Sequence, residues 1–161
     1  MLTNDEKRQI VEKYFDMIYK LAFSQVKSRE YADEVVQEVF LRFLKTRKNF
    51  ESDEHIKAWL IRVTVNCGHN IFSNSWYKKT VPLVENELDS VVEPEEKNDI
   101  YYAVKELPPK YSAVIHLFYY EDMSIEDISK YLKINPSTVK SQLHRGRNIL
   151  REKLKGGIDF V

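Results

Sequence analysis

Two stretches of this chain place polar and cationic side chains at helical spacing. In SIEDISKYLKINPSTVKSQLHRGRNIL, residues 124–150, two periodic runs flank a three-residue break. At 100° per residue from Val139, the second run puts Ser137, Ser141, His144, Arg145 and Asn148 opposite its apolar stripe, with Lys140 and Arg147 flanking. Short hydroxyls beside long cations suit a helix lying in a DNA major groove. There an Arg grips a guanine edge while Ser and Lys reach phosphates. The other stretch is Arg62, Asn66, His69 and Ser73, which share one ridge of a helix and have Trp59 at its edge. A polar, partly aromatic run, Asn74-Ser75-Trp76-Tyr77-Lys78-Lys79, follows it. Such a surface suits single-stranded nucleic acid, whose bases stack on aromatic rings while cations track the backbone. A plainer reading stays open for both: a capped, basic surface helix in one case, a wet ridge with Trp59 in the core in the other.

Other chemistries find little support. The single cysteine, Cys67, excludes an intrachain disulfide, and with His69 it makes only a C-x-H pair where structural zinc takes four ligands. Four scattered histidines and four glycines supply no phosphate loop, nucleophile–base pair or metal box. No enzyme activity, cofactor or metal is expected. No run of apolar residues is long enough to span a bilayer, and the acidic start Asn4-Asp5-Glu6 is unlike a signal peptide, so the expected location is the cytoplasm.

The elements that must position these residues are helical. Ile10, Val11, Tyr14, Phe15, Ile18, Leu21 and Ala22 recur at three- and four-residue spacing and predict one amphipathic helix. Ser28 is placed to cap a second, with the stripe Ala32, Val35, Val36, Val39, Phe40, Phe43 and Leu44. A third is predicted from Asp53 to Phe72 through Ile56, Trp59, Leu60, Val63, Cys67 and Ile71. The pattern lapses over residues 73–94, resumes at Ile100, Val104 and Leu107, and stops at Pro108-Pro109. A helix over Tyr111–Tyr120 follows. Ser124 then fits an N-cap with Asp127 as the acidic half of a capping box, and Asn135 with Pro136 opens the last helix. Its inner face is Val139, Leu143, Gly146, Leu150 and Leu154, where a glycine permits close packing. The class is all-α: two small helical domains joined by a linker, the second a helix-turn-helix domain. The expected limits are 1–74, an acidic linker 75–98, and 99–161.

Charge is unevenly spread along a chain whose net charge is zero. Residues 85–127 carry 3 Lys/Arg against 12 Asp/Glu, whereas residues 128–155 carry 8 against 1. Confining positive charge to the last helix points to a nucleic-acid contact there.

Three segments together resemble the extracytoplasmic-function group of bacterial sigma-70 type transcription initiation factors. YADEVVQEVFLRFLK (31–45) is similar to the part of the family that binds the polymerase clamp, and KAWLIRVTVNCGHN (57–70) to its promoter-melting helix. LPPKYSAVIHLFYYEDMSIEDISKYLKINPSTVKSQLHRGRNILREKL (107–154) resembles its C-terminal domain almost throughout. The chain departs from the family pattern at Asn70, often Asp, and in Cys67-Gly68-His69, while His144 stands where relatives vary.

The resemblance implies that Asp33, Gln37 and Phe40 bind the clamp of core RNA polymerase. It implies that Trp59, Arg62, Asn66, His69 and Asn70 act on the minus-ten element of promoter DNA. Pro136, Ser137, Thr138, Lys140, Ser141, His144, Arg145 and Arg147 would face the minus-thirty-five duplex, with the second domain on the polymerase flap. It further implies an acidic linker running toward the RNA exit path and an anti-sigma factor as antagonist; from the sequence itself, no sensor domain fused after residue 161 is expected. The rival reading is a helix-turn-helix repressor or activator whose N-terminal half binds a ligand or dimerises.

Overall fold

The computed structural model describes residues 1–73 and 106–154, with the side chains of residues 72 and 73 excepted. Among the described residues there are six helices: α1 (Asn4–Val26), α2 (Arg29–Lys45), α3 (Asp53–Ser73), α4 (Pro109–Ile115, extended by a π-helical turn His116–Tyr120), α5 (Ile125–Leu132) and α6 (Pro136–Leu154). The linker, with Ile100 and Val104, lies outside the described residues.

Local chemistry sets the helix ends. Thr3 Oγ1 accepts from the Glu6 amide at 3.1 Å while Glu6 Oε1 accepts from the Thr3 amide at 3.3 Å, a complete capping box on α1. Lys27 ends α1 in the left-handed region (φ 61°), and Ser28 immediately caps α2 by accepting from the Tyr31 amide. This sharp connection folds α2 back along α1. Ser124 accepts from the Asp127 amide at 3.0 Å to open α5. The break between α5 and α6 is held by Lys133 (φ 56°) and by Ser129, whose hydroxyl donates to the Ile134 carbonyl at 2.5 Å and whose own carbonyl accepts from the Ile134 amide.

Helices α1–α3 bury Ile18, Leu21, Ala22, Val26, Val35, Val39, Phe43, Leu60 and Ile61 completely. Helices α4–α6 bury Leu107, Leu117, Ile128, Val139, Leu143 and Leu150. The two groups share one contiguous core, because α1 and α3 pack against α4 and α5. Polar contacts cross the junction: Lys27 Nζ donates to the Leu107 carbonyl, Arg62 Nη1 to the Tyr131 carbonyl at 3.2 Å, and Lys130 Nζ and Tyr131 Oη approach Glu54 at 3.4 Å.

Two expected core residues prove to be surface: Phe15 and Leu44 are each 47% exposed. Phe15 instead stacks along the surface on Tyr19 and Phe40, with ring centroids 6.2 Å from each. The expected regular helix over Tyr111–Tyr120 widens into the π turn at His116. Glu121 donates to the His116 carbonyl and Met123 to that of Leu117, which returns Met123 to the core.

The junction also buries two bases. Desolvation lowers Lys27 to about 7, only partly offset by Glu106, and lowers His116 to about 4, with Lys20 of α1 adding repulsion. His116 stacks on Tyr120, and its Nε2 lies 3.8 Å from Glu121 and has no hydrogen-bond partner among the described residues. Folding disfavours the charged form of both groups, so between the folded and unfolded values the unfolded chain binds more protons and stability rises with pH. The rise spans about 4 to 6.5 for His116 and about 7 to 10.5 for Lys27. Acidification from pH 6.5 to 4 should lower the unfolding free energy measured by urea titration, by on the order of 1–3 kcal/mol for the imidazole. His116→Leu should flatten that limb of the profile, and an unaltered pH dependence in the variant would refute the assignment.

Candidate nucleic-acid interface

Helix α6 starts where the Asn135 carbonyl accepts from the amides of Thr138 (2.9 Å) and Val139 (3.1 Å), with Pro136 at its first position. Val139, Leu143, Gly146 and Leu150 face α4 and α5 and are buried. Pro136, Ser137, Thr138, Lys140, Ser141, His144 and Arg145 are all exposed. The periodicity argument therefore has the orientation of α6 right. Asn148 Nδ2 lies 3.2 Å from His144 Nε2 along the same face.

Arg147, grouped with these residues from sequence, sits elsewhere. It is half-buried, its Nε donates to Tyr119 Oη at 2.8 Å, and its guanidinium lies 5.6 Å from the ring centroids of both Phe118 and Tyr119. The π turn of α4 supplies this aromatic seat.

Sequence reasoning missed the first turn of α4. A groove of about 400 Å³ runs between it and α6, lined by Lys110, Tyr111, Ser137, Thr138, Ser141, Gln142 and Arg145. Arg145 and Lys110, both beside the Tyr111 phenol in this groove, hold it below its ordinary range. Only the Pro108-Pro109 stop marked this turn in the sequence. Nothing there places it beside Arg145.

On α3, Asn66, His69 and Asn70 are exposed as predicted, but Arg62 is half-buried and engaged by the Tyr131 carbonyl. Trp59 does not belong to this ridge. Its ring packs against Phe43 (6.1 Å between centroids) and Phe50 (5.8 Å), on the side of α3 that meets α2. Gly68 has a packing reason: a Cβ there would stand 2.4 Å from Oε1 of Gln25, whose buried amide donates to the Val65 carbonyl at 3.1 Å.

On α2, Asp33 and Gln37 are exposed, whereas Phe40 is buried with its ring stacked 6.2 Å from that of Phe15. Leu41 and Leu44 continue the stripe of Asp33 and Gln37 and are half-exposed. The apolar part of this surface is therefore Phe15, Leu41 and Leu44.

Family models match both groups of helices: Sigma-70 region 2 over residues 10–75 and Sigma-70 region 4 over residues 97–150. The chain is 30% identical to the RNA polymerase sigma factor SigV of Bacillus subtilis, over 84% of its own length and 83% of that protein's. It belongs to the sigma-70 family. Within the family it is an extracytoplasmic-function sigma factor, and it is 29% identical to the ECF RNA polymerase sigma factor SigW of Bacillus subtilis over 94% of its length and 90% of that relative's. The sigma factor RpoE of Bartonella quintana, solved with the anti-sigma factor NepR, shares the fold with a TM-score of 0.66 at 22% identity, covering 94% of this chain and 98% of that one. As a sigma factor the chain is a promoter-specific transcription initiation factor that acts with core RNA polymerase, and it is not an enzyme. Among its described residues no helix is long and apolar enough to cross a membrane.

The seat of Arg147 yields a prediction. Arg147→Ala removes a hydrogen bond and a cation–π contact, and should lower stability by about 1–2 kcal/mol in urea unfolding. Its promoter base preference in a binding selection should match the wild type, and a changed preference would return Arg147 to the DNA face.

Proposed function

We propose that the sigma factor divides its work between residues 1–74, which bind the polymerase clamp and the minus-ten element, and residues 99–161, which bind the minus-thirty-five duplex while resting on the polymerase flap, with an acidic linker over 75–98 running toward the RNA exit path. One observation carries the duplex assignment. Ser137, Thr138, Lys140, Ser141, His144 and Arg145 share the exposed face of a helix whose opposite face is buried. Arg145 reads a guanine edge there, and the hydroxyls and Lys140 hold phosphates.

Asp33 and Gln37, with the half-exposed Phe15, Leu41 and Leu44, form the clamp-binding surface, and Phe40 supports it from beneath. Asn66, His69 and Asn70 receive unpaired minus-ten bases. Arg62 joins them once its bond to the Tyr131 carbonyl is released, so α3 and α5 part before the promoter opens. The protein works in the cytoplasm, and an anti-sigma factor, the class of partner seen with the Bartonella quintana relative, restrains it by holding the two halves together.

Purified protein added to core polymerase alone should produce transcripts from defined start sites. Transcripts that require a second initiation factor would instead favour a helix-turn-helix activator. In the reconstituted system Arg145→Ala should cost about 1–3 kcal/mol of discrimination at one minus-thirty-five base pair. Asn66→Ala should reduce permanganate reactivity of minus-ten thymines more than it reduces duplex binding, and normal opening in that variant would contradict the minus-ten assignment.

A further inference from the structure

Two polar side chains stand one turn apart on the outer face of α6. His144 and Asn148 are both exposed, and Asn148 Nδ2 lies 3.2 Å from His144 Nε2. Residues four apart on a helix are surface neighbours, so the contact follows from their spacing once α6 has formed. The backbone beneath them is held. Leu143 and Leu150 are buried, and at Gly146, between the two, a Cβ would stand 2.6 Å from Ile115 Cδ1. Helix α6 therefore lies tight against α4 at this point. Arg147, the cation next to Asn148, is drawn away to Tyr119 Oη at 2.8 Å.

The pairing decides what the imidazole can offer. A neutral ring has one N–H and one bare nitrogen, and its hydrogen bonds select which is which. The Nδ2 of a carboxamide can only donate, so His144 Nε2, which faces it, is the acceptor. The ring proton is then on Nδ1. With that tautomer fixed, His144 brings a donor and no acceptor to a groove. It matches a purine N7, a guanine O6 or a thymine O4, and not the amino groups of adenine and cytosine. A ring free to exchange tautomers meets either kind of edge and distinguishes them less. Asn148 is placed to act through His144 rather than on a base. Recognition helices read base edges near their N-termini, and Asn148 lies about 6 Å further along the axis than His144.

We propose that Asn148 is a positioning residue that holds His144 in its Nδ1–H form and so makes His144 a hydrogen-bond donor to the minus-thirty-five groove. The selection is made before DNA arrives, and it adds no contact between asparagine and base. The inference rests on the duplex-binding reading of α6 given above.

The test has two arms. Long-range proton–nitrogen NMR of the full-length protein at about pH 8, where a free imidazole side chain is neutral, reads which ring nitrogen carries the proton. Signals lost in His144→Ala assign the ring. The wild type should carry the proton on Nδ1, and Asn148→Ala should move part or all of it to Nε2. The second arm uses polymerase holoenzyme assembled with the full-length protein and duplex promoters randomised across the minus-thirty-five element. There His144→Ala identifies the base pair that His144 reads. Asn148→Ala should reduce discrimination about 3- to 10-fold at that pair alone, and should have no further effect when added to His144→Ala. A wild-type ring protonated on Nε2, or an unchanged tautomer in Asn148→Ala, would overturn the positioning role. So would full discrimination at that pair in Asn148→Ala, a uniform loss at all positions, or effects that add in the double variant. If His144→Ala leaves every preference unchanged, the duplex-binding reading of His144 fails first, and the donor role fails with it whatever the tautomer.

Discussion

Burial of one apolar stripe governs the orientation of everything on α6. A helix advances 100° per residue, so once Leu143 and Leu150 are 1% and 2% exposed against α4 and α5, Ser141, His144 and Arg145 have only solvent to face. Turning those residues inward would require extracting two leucines and desolvating several polar groups, at a cost of several kcal/mol. The hydrophobic effect is not itself directional. It becomes so here because the apolar positions occupy a single side of a rigid rod. The caps at Ser124 and the left-handed Lys133 then fix the angle at which that rod leaves α5.

The same burial joins the two halves of the molecule. Arg62, Glu54 and Lys27 of the first three helices meet Tyr131, Lys130 and Leu107 of the last three. These contacts occupy part of the ridge on α3, and one guanidinium cannot serve two acceptors at a distance from each other. Closed packing and use of the whole ridge are therefore alternatives, and whatever favours one opposes the other by an equal free energy. The buried lysine and histidine at the junction weaken the closed packing as protons are added.

Much of this was legible in the residues. Periodicity alone placed α1, α2, α3 and α6, and the Asn135-Pro136 and Ser28 signals marked helix starts correctly, because caps and stripes are local properties. Phe15 and Leu44 were misread as core, since a stripe wider than the surface that covers it looks the same as one wholly buried. Arg147 and Trp59 show a related effect. Each sits on the boundary between two faces, and its side is decided by partners far away in sequence, Tyr119 and Phe118 for one, Phe43 and Phe50 for the other. Tyr111 carried no signal at all. Its place in the groove beside α6 comes from the approach of α4 to a glycine thirty-five positions later, which no single window of sequence contains.

Gln25 and Gly68 illustrate how such an approach binds distant positions into one choice. They occupy a single volume: the amide of the first fills the space that any side chain on the second would need. Enlarging residue 68 thus calls for shortening residue 25, and a shortened residue 25 leaves a hollow unless residue 68 grows. Neither change alone is a small step, although each looks conservative on paper. The pair is one packing choice, and the glycine within the Cys67-Gly68-His69 segment follows from a glutamine forty-three residues earlier.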